Sequence, residues 1–174
     1  MGREIRRVPP NWQHPRYTKA DAPSSRDVGE YKSLYDKDYE TAAREWIENF
    51  DLWRAGRHPS QPCDYVEDYW EYDSPPNRDL YRPKFEDEPT WFQVYETVSE
   101  GSPVTPPFAT REELVEYLVK NGDDWDQKQR TGGWDRAAAE AFVRQEWAPS
   151  MIVVSGPAGT KTSEPRDASM YEGK

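Results

Sequence analysis

TWFQVYETVSEGSPVTPPFATREELVEYLVKNG, residues 90–122, holds a strand, a loop and a helix in that order. Trp91 to Val98 is dense in aromatic and β-branched side chains, which suit a pleated, half-buried surface, and it predicts a strand. Gly101, Pro103, Pro106 and Pro107 then force a loop, because proline donates no backbone hydrogen bond and fixes its own φ. Thr110-Arg111-Glu112-Glu113 has the spacing of a capping box, in which the Thr hydroxyl and the Glu carboxylate satisfy backbone N–H groups of the first turn. Leu114, Val115, Leu118 and Val119 supply the apolar face of the helix that follows. Gly122 stands where a helix ends in a left-handed residue.

Downstream, Gly132-Gly133 breaks the chain, Asp135 caps a third helix over Arg136–Glu146, and Ala139, Phe142 and Val143 face inward. Met151 to Val154 reads as a last short strand. Residues 155–174 are small, polar and aperiodic, and are expected to be a disordered tail. Upstream, Asp38 to Ala55 is the clearest helix. Tyr39, Ala43, Trp46, Ile47, Phe50 and Trp53 recur at helical spacing, Asp36 or Asp38 caps the start, and Gly56 with Pro59 stops it. Its broad aromatic stripe is expected to wall the core. Residues 57–89 are rich in proline and acid, and Asp64 to Tyr72 fits a helix or a strand equally. Glu4 to Val8 fits a short strand. The fold expected is α+β, with three helices, a small sheet of two or three strands, and long Pro-rich loops. The expected division is a basic Pro-rich arm over 1–20, one compact domain over 21–154, and the tail.

Composition narrows the function. Only 34% of the 174 residues are hydrophobic, but 8 Trp, 11 Tyr and 5 Phe offer large buried areas with wet edges, so a small ring-built core is expected. A single cysteine, Cys63, allows no internal disulfide and fits a reducing compartment. No apolar run is long enough to span a membrane, and no apolar stretch follows Arg3, Arg6 and Arg7 to make a secretory signal. A net charge of −10 argues against general nucleic-acid binding, which depends on neutralising phosphates. Residues 1–20 depart from this: five basic residues against Glu4 give +4, leaving −14 for the rest. Such a segment either stacks on nucleic acid through Trp12 and Tyr17 or lies across the acidic body of its own chain. The second is expected.

Four segments taken together carry a resemblance: REIRRVPPNWQHPR (3–16), DYETAAREWIENF (38–50), the stretch 90–127, and GGWDRAAAEAFV with WAPSM (132–151). In this order they resemble a family of small acidic proteins encoded in bacteriophage and prophage genomes. The resemblance spans most of residues 3–151. It implies a phage gene product acting in the cytoplasm of a bacterial host, and it carries over no catalytic residues.

Known chemistries find little support in the residues. MIVVSGPAGTKT (151–162) imitates a strand and phosphate-binding loop, but it is one residue short, and no glycine precedes Lys161. His14, His58 and Cys63 lack the paired spacing of a zinc site. Asp36, Asp38 and Glu40 have the opening spacing of a calcium loop, but Thr41 replaces its glycine and Ile47 its closing glutamate. Asp123, Asp124 and Asp126 read as a solvated turn after a helix. No cofactor, metal or catalytic residue is therefore assigned, and the chain is read as a non-enzyme.

Residues 64–100 are the unusual part, with eleven acids against three bases and nine aromatic rings. Tyr and Trp favour interfaces, and acids steer a basic partner. Asp68, Trp70, Glu71, Tyr72, Glu86, Asp87, Glu88 and Trp91 are the candidate partner-binding residues. The function expected is a phage-encoded factor that binds a basic host or phage protein, for example to inhibit a host defence system. The alternative is an accessory structural or assembly protein of the virion.

Overall fold

The computed structural model of the chain describes residues 2–62, 65–97, 100–156 and 159–171. Cys63 of the zinc reading, Asp64 as the start of a short element, Val98 as a strand end, and Pro157 and Ala158 of the loop-like tail lie outside the described residues. In chain order the elements are β1 (Arg3–Val8), β2 (Tyr35–Asp38), α1 (Tyr39–Arg54), α2 (Tyr69–Tyr72), β3 (Tyr81–Arg82), β4 (Trp91–Glu96), α3 (Arg111–Asn121), α4 (Asp124–Gln129), α5 (Arg136–Gln145), β5 (Trp147–Ala148), β6 (Ile152–Gly156) and β7 (Gly159–Ser163). Short 3-10 turns cover Arg78–Leu80 and Ala168–Met170. The fold is α+β: α1, α3 and α5 run to 16, 11 and 10 residues, and the sheets have two or three strands. None of the described helices is long and apolar enough to cross a membrane.

The chain forms two compact units, Met1–Lys32 with Phe85–Lys174, and Ser33–Lys84. This corrects the expectation of one domain over 21–154. The physical reason lies in the ring-rich stretch 33–84, which supplies a core of its own.

In the first unit the central strand is β1, flanked by β4 and β5 in the order β4-β1-β5, all antiparallel. Val8 pairs with Trp91, and Arg3 with Glu96. The free edge of β4 is covered by the proline loop: Phe92 and Phe108 exchange two backbone bonds of 2.8 Å each, and Val104 donates to Val94 at 2.8 Å. That loop leads into α3, whose capping box forms as expected, with Glu113 N donating to Thr110 Oγ1 at 3.1 Å. Gly122 ends α3 at φ 70, and a side chain on Gly133 would collide with the Val119 carbonyl oxygen, so both glycines let the chain turn tightly back. The core gathers Val94 and Val104 with Leu114 and Leu118 of α3, and Phe142 and Val143 of α5.

The basic segment, expected to lie across the acidic body of its own chain, contributes its Arg3–Val8 stretch as the middle strand of the sheet. Arg3 pairs with Asp123 and Arg7 with Glu146, so part of the basic excess is matched within the same unit, while Arg6 pairs with Glu4 inside the strand. The tail is not featureless. β6 and β7 form a hairpin with Ile152 opposite Ser163, and Met170 in the following turn is buried in the core at 2% exposure. Sequence composition hides this because a few scattered side chains, Met170 with Tyr171 and Ile152, anchor an otherwise polar segment.

In the second unit β2 pairs in parallel with β3, and α1 packs a ring cluster. Asp38 caps α1 by accepting from Thr41 N at 3.0 Å, which explains the acids at its start. The deepest ring on α1 is Trp53, which donates to the Glu67 carbonyl at 2.9 Å and lies near Tyr69 and Tyr72, with ring centres 5.6 and 5.1 Å away. Trp46 is only half-buried and stacks on Phe50 at 5.4 Å, while Ile47 is exposed, so the expected stripe is narrower than its spacing suggests.

Candidate functional site

The residues expected to form one acidic aromatic surface are divided between the two units. Asp68, Trp70, Glu71 and Tyr72 belong to the second, and Glu86, Asp87, Glu88 and Trp91 to the first. They are therefore two sets of residues, each with its own setting.

In the second unit the helical turn α2 carries its set. Asp68 stands at the N-cap without a side-chain cap bond, and neither it nor Glu71 makes an ion pair among the described residues. Trp70 is 52% exposed. Tyr72 has a structural role as well, because it stacks on Trp53 and donates its hydroxyl to Ser60 Oγ at 2.9 Å.

In the first unit Trp91 opens β4 and forms the floor of a shallow depression with Pro107, Phe108 and Ala109, rimmed by Glu112, Glu113 and Glu116. The reciprocal backbone bonds between Phe92 and Phe108 bring the loop beside the strand. The three rim carboxylates differ in their commitments. Glu113 is spent on the capping box, accepting from Ala109 N at 3.1 Å and Thr110 N at 3.3 Å. Glu116 is held in a two-pronged pair by Arg136 at 2.6 and 2.9 Å, and this guanidinium keeps its carboxyl below the usual range. Glu112 has no ion-pair partner among the described residues, and the same holds for exposed Glu86, Asp87 and Glu88 just upstream of Trp91. An apolar floor with unpaired carboxylates can hold an apolar side chain and attract a cationic neighbour.

Pro107, Phe108 and Glu112 were not singled out from the sequence. In one dimension they read as loop and cap, and only the Phe92–Phe108 pairing places them beside Trp91. The acids of the turn after α3 also take a different role from the one expected. Asp123 is 1% exposed, caps α4 by accepting from Trp125 N and Asp126 N at 2.8 and 3.0 Å, and binds Arg3. His14 is buried as well. Its Nε2 lies 2.8 Å from the Lys32 carbonyl and its Nδ1 3.1 Å from the Tyr95 hydroxyl, so its ring nitrogens are engaged within the fold.

No family model, curated protein or solved structure matches this chain.

Proposed function

We propose that this chain is a non-enzymatic, phage-encoded protein-binding factor that docks a basic protein on the acidic aromatic depression around Trp91. The observation that carries the reading is the open floor of Trp91, Pro107 and Phe108 beside carboxylates that have no partner of their own, Glu112 among them. Unpaired surface carboxylates contribute little to stability, but they accelerate encounter with a basic surface. A ring that becomes desolvated on docking then slows dissociation. The resemblance of residues 3–151 to small acidic phage proteins suggests the setting, a bacterial host whose defence system is one candidate target.

The test is capture of host proteins by the full chain, followed by kinetics with the partner so identified. Reversing Glu86, Asp87 and Glu88 to Lys should slow association and flatten its salt dependence. Trp91→Ala should speed dissociation. If both variants match the wild type at every salt concentration, the depression is not the docking surface, and the virion-component reading gains.

A further inference from the structure

We propose that a second cleft in the first unit, walled by Tyr31, Tyr117 and Trp125, takes a guanidinium or ammonium side chain of the basic partner, with Asp124 as its counter-charge. This rests on the basic-partner reading above, but it concerns different residues.

The cleft encloses about 500 Å³. Its three rings are held in place. Trp125 donates its indole N–H to Glu96 at 2.5 Å. Tyr117 packs on Phe108 with ring centres 5.0 Å apart, and its hydroxyl accepts from Gln127 at 3.0 Å. Tyr31 meets the edge of His14 at 5.7 Å. Aromatic faces attract cations, and fixed rings lose little freedom on binding. The Tyr31 face already carries Arg16, so the face left for a partner's cation is that of Trp125, under the more distant Lys128.

Asp124 lines the same cleft, half-buried, and its carboxylate makes no hydrogen bond or ion pair among the described residues. Burial raises its carboxyl above the ordinary range. A partly desolvated carboxylate without a partner is costly, and a charge-assisted bond from an incoming cation would satisfy it. The lining holds three carboxylates, Glu30, Glu96 and Asp124, against Arg16 and Lys128. Arg16 is already committed, lying 3.6 Å over Tyr31 and donating to the Gly29 carbonyl at 2.7 Å. Lys128 is exposed, lies 5.7 Å from the Trp125 ring centre and acts electrostatically on Asp124, so it holds the position a partner's cation would take. It makes no direct ion pair with Asp124 among the described residues, and an incoming cation displaces it.

The test uses the isotope-labelled full chain and follows the Trp125 indole N–H by NMR. The probes are N-acetyl-arginine amide, its neutral isostere N-acetyl-citrulline amide, and spermidine. The arginine probe should shift the Trp125 signal, and the citrulline probe should bind at least ~tenfold more weakly, about 1.4 kcal/mol. Asp124→Asn should weaken the arginine probe by a similar factor with signals elsewhere unchanged. Lys128→Ala should tighten it. Equal binding of arginine and citrulline probes, or an Asp124→Asn variant as tight as wild type, would overturn the proposal. So would tight spermidine binding in a protein whose Asp124→Asn variant still captures its partner, which would make this a small-cation site. Loss of the partner on Trp91→Ala but not on Asp124→Asn sinks the cleft and leaves the docking surface standing.

Discussion

Arg3 donates its Nε–H to the Asp123 carboxylate at 2.6 Å across 120 positions of sequence, with both side chains nearly buried. One bond thus ties the middle strand of the sheet to the turn that starts α4. Asp123 also caps that helix, so one carboxylate serves two neighbours. Asp123→Ala removes the carboxylate paired with a buried guanidinium together with the cap of α4, and a loss of ~3–5 kcal/mol is expected. The double change Arg3→Met with Asp123→Asn should lose less than the single one, because both charges of the buried pair leave together and Asn can still cap α4. Urea unfolding of the three proteins checks this. A single variant within ~0.5 kcal/mol of wild type would show that the pair holds nothing together.

The tail makes the second prediction, and it reverses what polar composition suggests. Met170 sits in the core beside α5, and Asp135 N donates to the Arg166 carbonyl at 3.1 Å. Met170→Ala should cost ~2–5 kcal/mol. Cutting the chain after Ser155 should cost at least as much, lowering the melting temperature by roughly 2–4 °C for each kcal/mol lost. An unchanged melt after truncation would return these residues to the status of a dispensable tail.

How much was legible in the sequence depends on range. The ends of α1, α3 and α5 were readable because caps and stops act over a few residues: Asp38, the Thr110–Glu113 box and Asp135 all cap as their spacing predicts. The strands Arg3–Val8 and Trp91–Glu96 were readable from side-chain type. Their pairing was not, because nothing local in 3–8 specifies a partner near residue 94. The acids at 123–126 read as a solvated turn, since burial of Asp123 depends on an arginine at the other end of the chain. The candidate surface suffered similarly. Trp91 and Glu86–Glu88 were found by composition, while Phe108 and Glu112 enter only through contact, and Asp68–Tyr72 belong to another unit.

The ring core of the second unit gives a third prediction. Trp53 is 6% exposed and sits amid His58, Tyr69 and Tyr72. Trp53→Ala removes the largest buried side chain on α1 and should cost ~3–5 kcal/mol within that unit. Hydrogen exchange should show lost protection across Ser33–Lys84. Trp46→Ala, at a half-buried ring, should cost clearly less. Equal losses at the two positions would mean that the exposed face of α1 is buried in some way the fold does not suggest.

The last prediction concerns acid. His14 is held well below its ordinary value, to about 4, chiefly because burial disfavours the charged ring, with the Arg6 and Arg16 charges adding to it. A carbonyl can only accept, so the neutral His14 donates Nε2–H to Lys32 and its bare Nδ1 can only accept. The single Tyr95 hydroxyl proton is shared between that Nδ1 and Gln93 Oε1, 3.1 and 3.0 Å away. In the unfolded chain the same ring takes up its proton near pH 6.5, its ordinary value. As pH falls the unfolded state binds that proton first, so folding stability is fully present above that point and is lost progressively as pH drops towards about 4. Linkage puts the loss at roughly 2 kcal/mol between about pH 8 and about pH 5, before most carboxylates titrate. Replacing His14 with Gln should lower stability at neutral pH and flatten this slope. Chemical unfolding at a series of pH values measures this. A wild-type slope that survives His14→Gln would assign the acid sensitivity to other groups.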